Sequence, residues 1–243
     1  MTQPHQHFGS AGEHQLQREH GTADRAAEFY RRQVRPHLTA QMRDFIAKQS
    51  MVFLASADSG GACDASFRAG PPGFVQVLDD HTLAYPEYKG NGVLASAGNI
   101  TENPHLGLLF MDFTHEHLGL HVNGTAHLRP DSALRLAHPQ LPVETAPGRK
   151  VEFWVHVSVD EAYIHCSKHI PHLVPAPRPR LERVRDAEFF HVEPVPPTPA
   201  RPSWAAPAAA ASVAAASAAA DGEREPVRVP PPRRAWRFGV RRA

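Results

Sequence analysis

Between Met51 and Cys166 the chain is a succession of short apolar or alternating runs separated by turn residues, and this pattern constrains the fold most. In LGLHVNGTAHL, residues Leu118, Leu120, Val122, Ala126 and Leu128 fall on one side. In VEFWVHVSV, Val151, Phe153, Val155, Val157 and Val159 do the same. A period of two fits a strand and not a helix. The second run changes phase at Asp160-Glu161, where a bulge is expected, and AYIHC continues it. MVFLASA is continuously apolar, as expected of a strand covered on both faces. ACDASFRAG alternates, with Cys63, Ala65, Phe67 and Ala69 on one face and Asp64, Ser66 and Arg68 on the other. Pro72-Gly73 suits a type II turn into FVQVL, and Asp79-Asp80 a tight turn into TLAYP. HLGLLFMDF reads as a buried strand.

Helical signals are fewer. TADRAAEFYRRQVRPHLTAQMRDFIAKQ reads as two helices separated at Pro36, with Thr39 as N-cap of the second. In GVLASAGNITEN, Val93, Leu94, Ala97 and Ile100 share a helical face beside a polar stripe of Ser96, Asn99 and Asn103. Pro104 ends the segment, with Asn103 read as a helix terminator. About seven strands joined by short turns, with one helix between the fourth and fifth, predict a mainly β chain. A small antiparallel barrel with a few flanking helices accounts for them better than a parallel α/β sheet.

Composition limits the rest. The 243 residues carry a net charge of +1 and 42% hydrophobic content, enough for one domain and without a global attraction to nucleic acid. No apolar run is long enough for a membrane helix, and the first residues lack a signal-peptide core. Two cysteines, Cys63 and Cys166, fit a reducing cytoplasm, and Cys166 reads as a buried structural residue. The 17 histidines are scattered and suggest no metal site. No GxGxxG, GxxxxGK[ST] or GxSxG motif follows a strand. Residues 1–20 are expected to be disordered, 21–174 to form the domain, and 175–243 to form a disordered Pro/Ala-rich tail. The basic end PPRRAWRFGVRRA leaves a partner for the tail open.

Ser66 and Arg68 share one strand face, while Lys89 and Asn91 lie in the turn YPEYKGNG, which leads into a helix. A helix N-terminus offers free N–H groups and a partial positive charge, so these residues could seat a phosphate. The same residues also suit a plain turn with a solvated lysine and a surface arginine. His121, Asn123, Thr125 and His127 share a strand face that could line a cleft, meet a second subunit or meet water.

In order, the S-x-R strand, PPGFV, the YP…KGN turn, the N-x-x-x-NP helix end and the VNG strand resemble one known family. Over roughly 44–169 the chain is similar to the pyridoxamine 5'-phosphate oxidase-like FMN-binding split barrels, in their flavin-nucleotide-binding branch. The resemblance implies a six-stranded split barrel that forms a homodimer, with one FMN in each of two clefts between subunits. It assigns Ser66 and Arg68 to the FMN phosphate and ribityl chain, and Tyr85 and Pro86 to the strand end whose backbone borders the isoalloxazine. Lys89 and Asn91 become the phosphate turn, and Asn99 reaches the flavin from the helix. The region of His165, Cys166 and Lys168 matches a late strand closing the cleft. Lys89 stands alone where pyridoxamine 5'-phosphate oxidase has adjacent arginine and lysine, which argues against vitamin B6 oxidation. The resulting expectation is an FMN-dependent oxidoreductase acting on a small molecule, with no catalytic acid or base assigned. The alternatives are a non-catalytic flavin-binding or sensing protein, or a split barrel using F420 or haem.

Overall fold

The structure is a computed structural model that describes residues 8–143, 146, 149–174 and 176. The expected tail at 175–243 lies outside the described residues, apart from residue 176. Seven strands form one antiparallel sheet: β1 (Met51–Ala57), β2 (Cys63–Ala69), β3 (Gln76–Val77), β4 (Thr82–Tyr88), β5 (His105–Met111), β6 (Gly119–Pro130) and β7 (Val151–His165). These are the seven runs legible in the sequence, one more than the family resemblance implies. The helices are α1 (Ala11–Glu19), α2 (Ala23–Gln33), α3 (Ala40–Lys48), α4 (Ala95–Glu102) and α5 (Asp131–Ala137).

Sheet order is β2-β1-β5-β6-β7-β4-β3. Strands β2 and β3 are thus the two edges, although only residues 70–75 separate them in the chain. A connection that short requires the sheet to curl until its edges approach, which makes a barrel with a split along one side. Pro72 and Gly73 make the turn there: Phe74 N–H donates to the Pro71 carbonyl, and Gly73 takes the positive φ of +77° that a type II turn requires.

The interior is filled by Val52 and Leu54 of β1, Leu83 and Tyr85 of β4, Leu106, Leu108 and Phe110 of β5, Leu120, Val122 and Ala126 of β6, and Val155, Val157, Val159 and Ala162 of β7. Phe45 and Ile46 of α3 and Ile100 of α4 pack against them. A second cluster, Ala84, Leu134, Leu141 and Trp154, lies on the other face of β4 and β7 under α5. Within it the Trp154 indole N–H donates to the Asp131 carboxylate at 2.8 Å.

Register explains the bulge. Asn123 pairs with Glu161 but Gly124 pairs with Val159, so Asp160 is the extra residue where the sequence changes phase. Thr39 caps α3 by accepting from Met42 N–H at 3.3 Å.

Three expectations are corrected. Residues 11–19 form helix α1, closed by a capping box between Ser10 and Glu13, within the stretch expected to be disordered. Strand β1 is covered on one face only: Val52, Leu54 and Ser56 are buried, while Phe53 and Ala55 are exposed. It is the second strand of the sheet, and on its outer face Phe53 meets the Phe67 ring at 5.4 Å. Cys166 is exposed, just beyond the end of β7. Among the described residues no helix is long and apolar enough to cross a membrane.

Candidate functional site

Register places the polar face of β2 toward the barrel. Ser56 pairs with Asp64, Leu54 with Ser66 and Val52 with Arg68. Directly opposed residues point to the same side of a sheet, so Asp64, Ser66 and Arg68 line the interior side together with buried Val52, Leu54 and Ser56. Cys63, Ala65, Phe67 and Ala69 consequently face outward, and all four are exposed.

Helix α4 meets this face. Ser66 Oγ and Ser96 Oγ share a hydrogen bond of 2.8 Å, and both hydroxyls lie on Asp64 Oδ2, at 2.7 and 3.1 Å. Asn99, one turn later, donates from Nδ2 to the buried Ser56 Oγ at 3.1 Å. Leu94, at the helix N-cap, adopts a left-handed backbone (φ +53°), and its apolar side chain gives α4 no cap. Its first-turn N–H groups therefore keep their anion-binding capacity.

The other wall is β4. Leu83, Tyr85 and Glu87 alternate onto the barrel side, and Glu87 reaches across the split to Arg68 on β2. Glu87 Oε2 accepts from Arg68 Nε at 3.0 Å and lies 3.0 Å from its second terminal nitrogen as an ion pair. The Arg68 and Glu87 side chains are only 20% and 13% exposed. Tyr85 is fully buried, and its hydroxyl has no hydrogen-bond partner among the described residues. Burial pushes its phenol far above the usual tyrosine range; the Arg68 charge opposes that and the Glu87 charge adds to it. An orphaned hydroxyl in a barrel wall costs free energy unless something else meets it.

The structure thus brings together Ser66, Arg68 and Tyr85, with Asn99 anchored beside them, and separates the others. Pro86 is buried on the opposite face of β4, register-paired with Trp154, and lines a cavity of about 200 Å³ on that side. Strand alternation makes this unavoidable, since neighbours in a strand face opposite ways. Lys89 and Asn91 are exposed rather than turned inward. Lys89 bonds through its backbone N–H to the Lys150 carbonyl, and Asn91 spends its Oδ1 on Val93 N–H, an Asx turn. The helix begins at Ala95, so the loop carrying Lys89 is not its first turn. Val93 and Leu94 likewise precede the helix and are exposed.

Asp64, Glu87 and Ser96 were missed as site residues. The signal was available: Asp64 is two residues before Ser66 and Glu87 two after Tyr85, so each shares a face with a selected residue.

Outside the barrel, the face of β6 and β7 is polar and paired. His121 Nε2 lies 2.9 Å from His165 Nδ1, and its ring stacks on Tyr163 at 4.7 Å. Burial, then the neighbouring His165, pushes the His121 pKa down. Asn123 donates to Glu161 at 2.8 Å. No group of three or more potential metal ligands occurs among the described residues.

The chain matches pyridoxamine 5'-phosphate oxidase over residues 38–166, more than half of its length. It belongs to that family. No curated protein matches the chain. Among solved structures it is similar to HupZ of Group A Streptococcus (21% identity, 52% of this chain and 92% of that one, TM-score 0.38). It is also similar to an FMN-binding protein of Syntrophomonas wolfei (11% identity, 63% and 97%, TM-score 0.39). A third is HutZ of Vibrio cholerae, described as a heme storage protein (14% identity, 52% and 94%, TM-score 0.37).

Proposed function

We propose that this member of the pyridoxamine 5'-phosphate oxidase family binds FMN and serves as a flavin-dependent oxidoreductase for a small molecule. The observation that carries the reading is the junction of β2 and α4, where Ser66 and Ser96 meet at 2.8 Å beside a helix N-terminus whose N-cap residue, Leu94, provides no side-chain cap. Arg68 and the orphaned Tyr85 hydroxyl extend this donor set along the barrel wall. Two hydroxyls, a guanidinium, an unpartnered phenol and open helix N–H groups fit the phosphate and polyol end of a flavin nucleotide.

Bound flavin would supply hydride or electron transfer. The chain's own residues have other tasks. Ser66 and Ser96 hold the phosphate end against the first turn of α4. Arg68, paired with Glu87, stands beside them on the edge strand. Asn99, fixed by Ser56, keeps α4 aligned on β1.

The partner is a second copy of the chain. Phe53 and Phe67, 40% and 51% exposed and in ring contact at 5.4 Å, give the outer sheet face an apolar centre suited to pairing. Reducing the FMN-loaded protein anaerobically with NADPH or NADH and following flavin bleaching tests the oxidoreductase reading. Bleaching and reoxidation by an acceptor support it. Bound flavin that no reductant bleaches assigns a binding or sensing role instead.

A further inference from the structure

We infer that Glu87 is the residue that sets how far this site recognises phosphate. The inference rests on the flavin reading and concerns the seat's selectivity.

Arg68 belongs to an edge strand and Glu87 to β4, near the opposite edge of the sheet. Their ion pair therefore bridges the split itself. One carboxylate oxygen, Oε2, accepts from the guanidinium Nε and forms an ion pair with one terminal nitrogen, both at 3.0 Å, on the edge of the guanidinium that a phosphate oxygen would otherwise take. The remaining terminal nitrogen donates to the Phe67 carbonyl at 3.1 Å. Both partners are largely shielded from water, so the pair is less screened than a surface salt bridge.

The second carboxylate works the same way. Asp64 Oδ2 takes the hydroxyls of Ser66 and Ser96, which a ligand oxygen would need. Two carboxylates therefore stand against one guanidinium along this wall, and Lys89 is out on the exposed loop. A phosphate dianion entering here meets an internal counter-anion already in place. It engages Arg68 only by displacing Glu87, and the gained contact is offset by the lost one. The site then recognises the flavin and its polyol chain, while the phosphate contributes little. Removing the Glu87 charge releases Arg68 and restores the phosphate contribution.

Titrating FMN and riboflavin into wild type and Glu87→Gln, by quenching of flavin fluorescence, reads this selectivity. Wild type is expected to prefer FMN over riboflavin by no more than about tenfold, the value of one modest hydrogen-bonded contact. In Glu87→Gln the preference rises by about a further tenfold, through FMN alone, as expected for one charge-assisted contact regained. A parallel thermal melt with inorganic phosphate as the probe needs no flavin. Phosphate raises the melting temperature of Glu87→Gln and leaves that of wild type unchanged.

A wild-type preference for FMN of a hundredfold or more overturns the inference without any variant, and so covers failure of Glu87→Gln to fold. An unchanged FMN-to-riboflavin ratio in a folded Glu87→Gln, or equal phosphate stabilisation of both proteins, overturns it too. If neither flavin binds either protein, the flavin reading fails, and the phosphate melt still decides whether Glu87 blocks an anion seat at Arg68.

Discussion

Ser66 on β2 and Ser96 in the first turn of α4 share a hydrogen bond of 2.8 Å, both resting on the Asp64 carboxylate. This contact joins an edge strand to the helix that follows the fourth strand. It places two hydroxyls beside an open helix N-terminus, where a flavin nucleotide would present its phosphate. Ser66→Ala removes one donor and leaves Ser96 still bonded to Asp64. FMN affinity is expected to fall by about 0.5–1.5 kcal/mol, roughly twofold to twelvefold, with the fold intact. Fluorescence titration with a thermal melt as control checks this; unchanged affinity removes Ser66 from the seat.

The outer face of β1 and β2 carries the subunit contact in this account. Phe53→Asp or Phe67→Asp puts a charge into the centre of that apolar contact, where an unpaired buried charge is costly. Each variant is expected to run as a monomer in light scattering where wild type is a dimer. Both residues are already exposed in the single chain, so monomer stability should change little. A wild-type monomer, or a dimer that persists in both variants, rejects this face.

Asp112 organises the loop between β5 and β6. Its Oδ1 accepts from the N–H groups of Thr114 and His115, at 2.8 and 3.0 Å, and its Oδ2 accepts from Glu116 N–H at 2.9 Å. Burial opposes its ionisation, but the N–H groups of Glu116, Thr114 and His115 prevail and hold the carboxyl well below the usual range. A carboxyl whose folded pKa is depressed stabilises above its unfolded value of about 3.9 and loses that contribution as pH falls. Asp112→Ala should cost about 1.5–3 kcal/mol at neutral pH, and the gap to wild type should narrow below pH of about 4. Urea unfolding at a series of pH values measures both; a pH-independent gap would show that the folded loop does not lower the Asp112 pKa.

Two glycines give opposite expectations. A Cβ on Gly124 would lie 2.1 Å from the Ser158 carbonyl oxygen, at the bulge between β6 and β7. Gly124→Ala must push two paired strands apart and should destabilise by about 1–3 kcal/mol or more. Gly98 lies inside α4 with open space around its Cβ position. There Gly98→Ala should stabilise by about 0.4–1 kcal/mol. Denaturant midpoints of the two variants compared with wild type decide; a tolerated Gly124→Ala would contradict the described register.

The strands were legible because alternation is a local property, and even the bulge at Asp160 showed as a change of phase. The site was legible only in part, because it is assembled across the split. Ser66 and Arg68 carry a side-chain direction fixed by their own strand. Whether Arg68 is free or paired depends on Glu87, which is distant in sequence and is brought close only by curling of the sheet. Lys89 and Asn91 looked like site residues because the turn precedes a helix, but helix α4 starts at Ala95 and leaves the lysine on an exposed loop. Pro86 came in with Tyr85 from the family resemblance, through the backbone of the strand end, while its side chain faces the other side of β4 from that of Tyr85. Helix α5 gave no clear period, being only seven residues long.

The central claim is that this chain carries FMN at the junction of β2 and α4. The absorption spectrum of the purified protein, before and after heat release of its ligand, tests it most directly. The account predicts a flavin spectrum, with FMN released at about one per chain, or its uptake by colourless protein on addition of FMN. Protein that stays colourless with excess FMN contradicts the account, as does a Soret band or the blue-green fluorescence of F420 in its place.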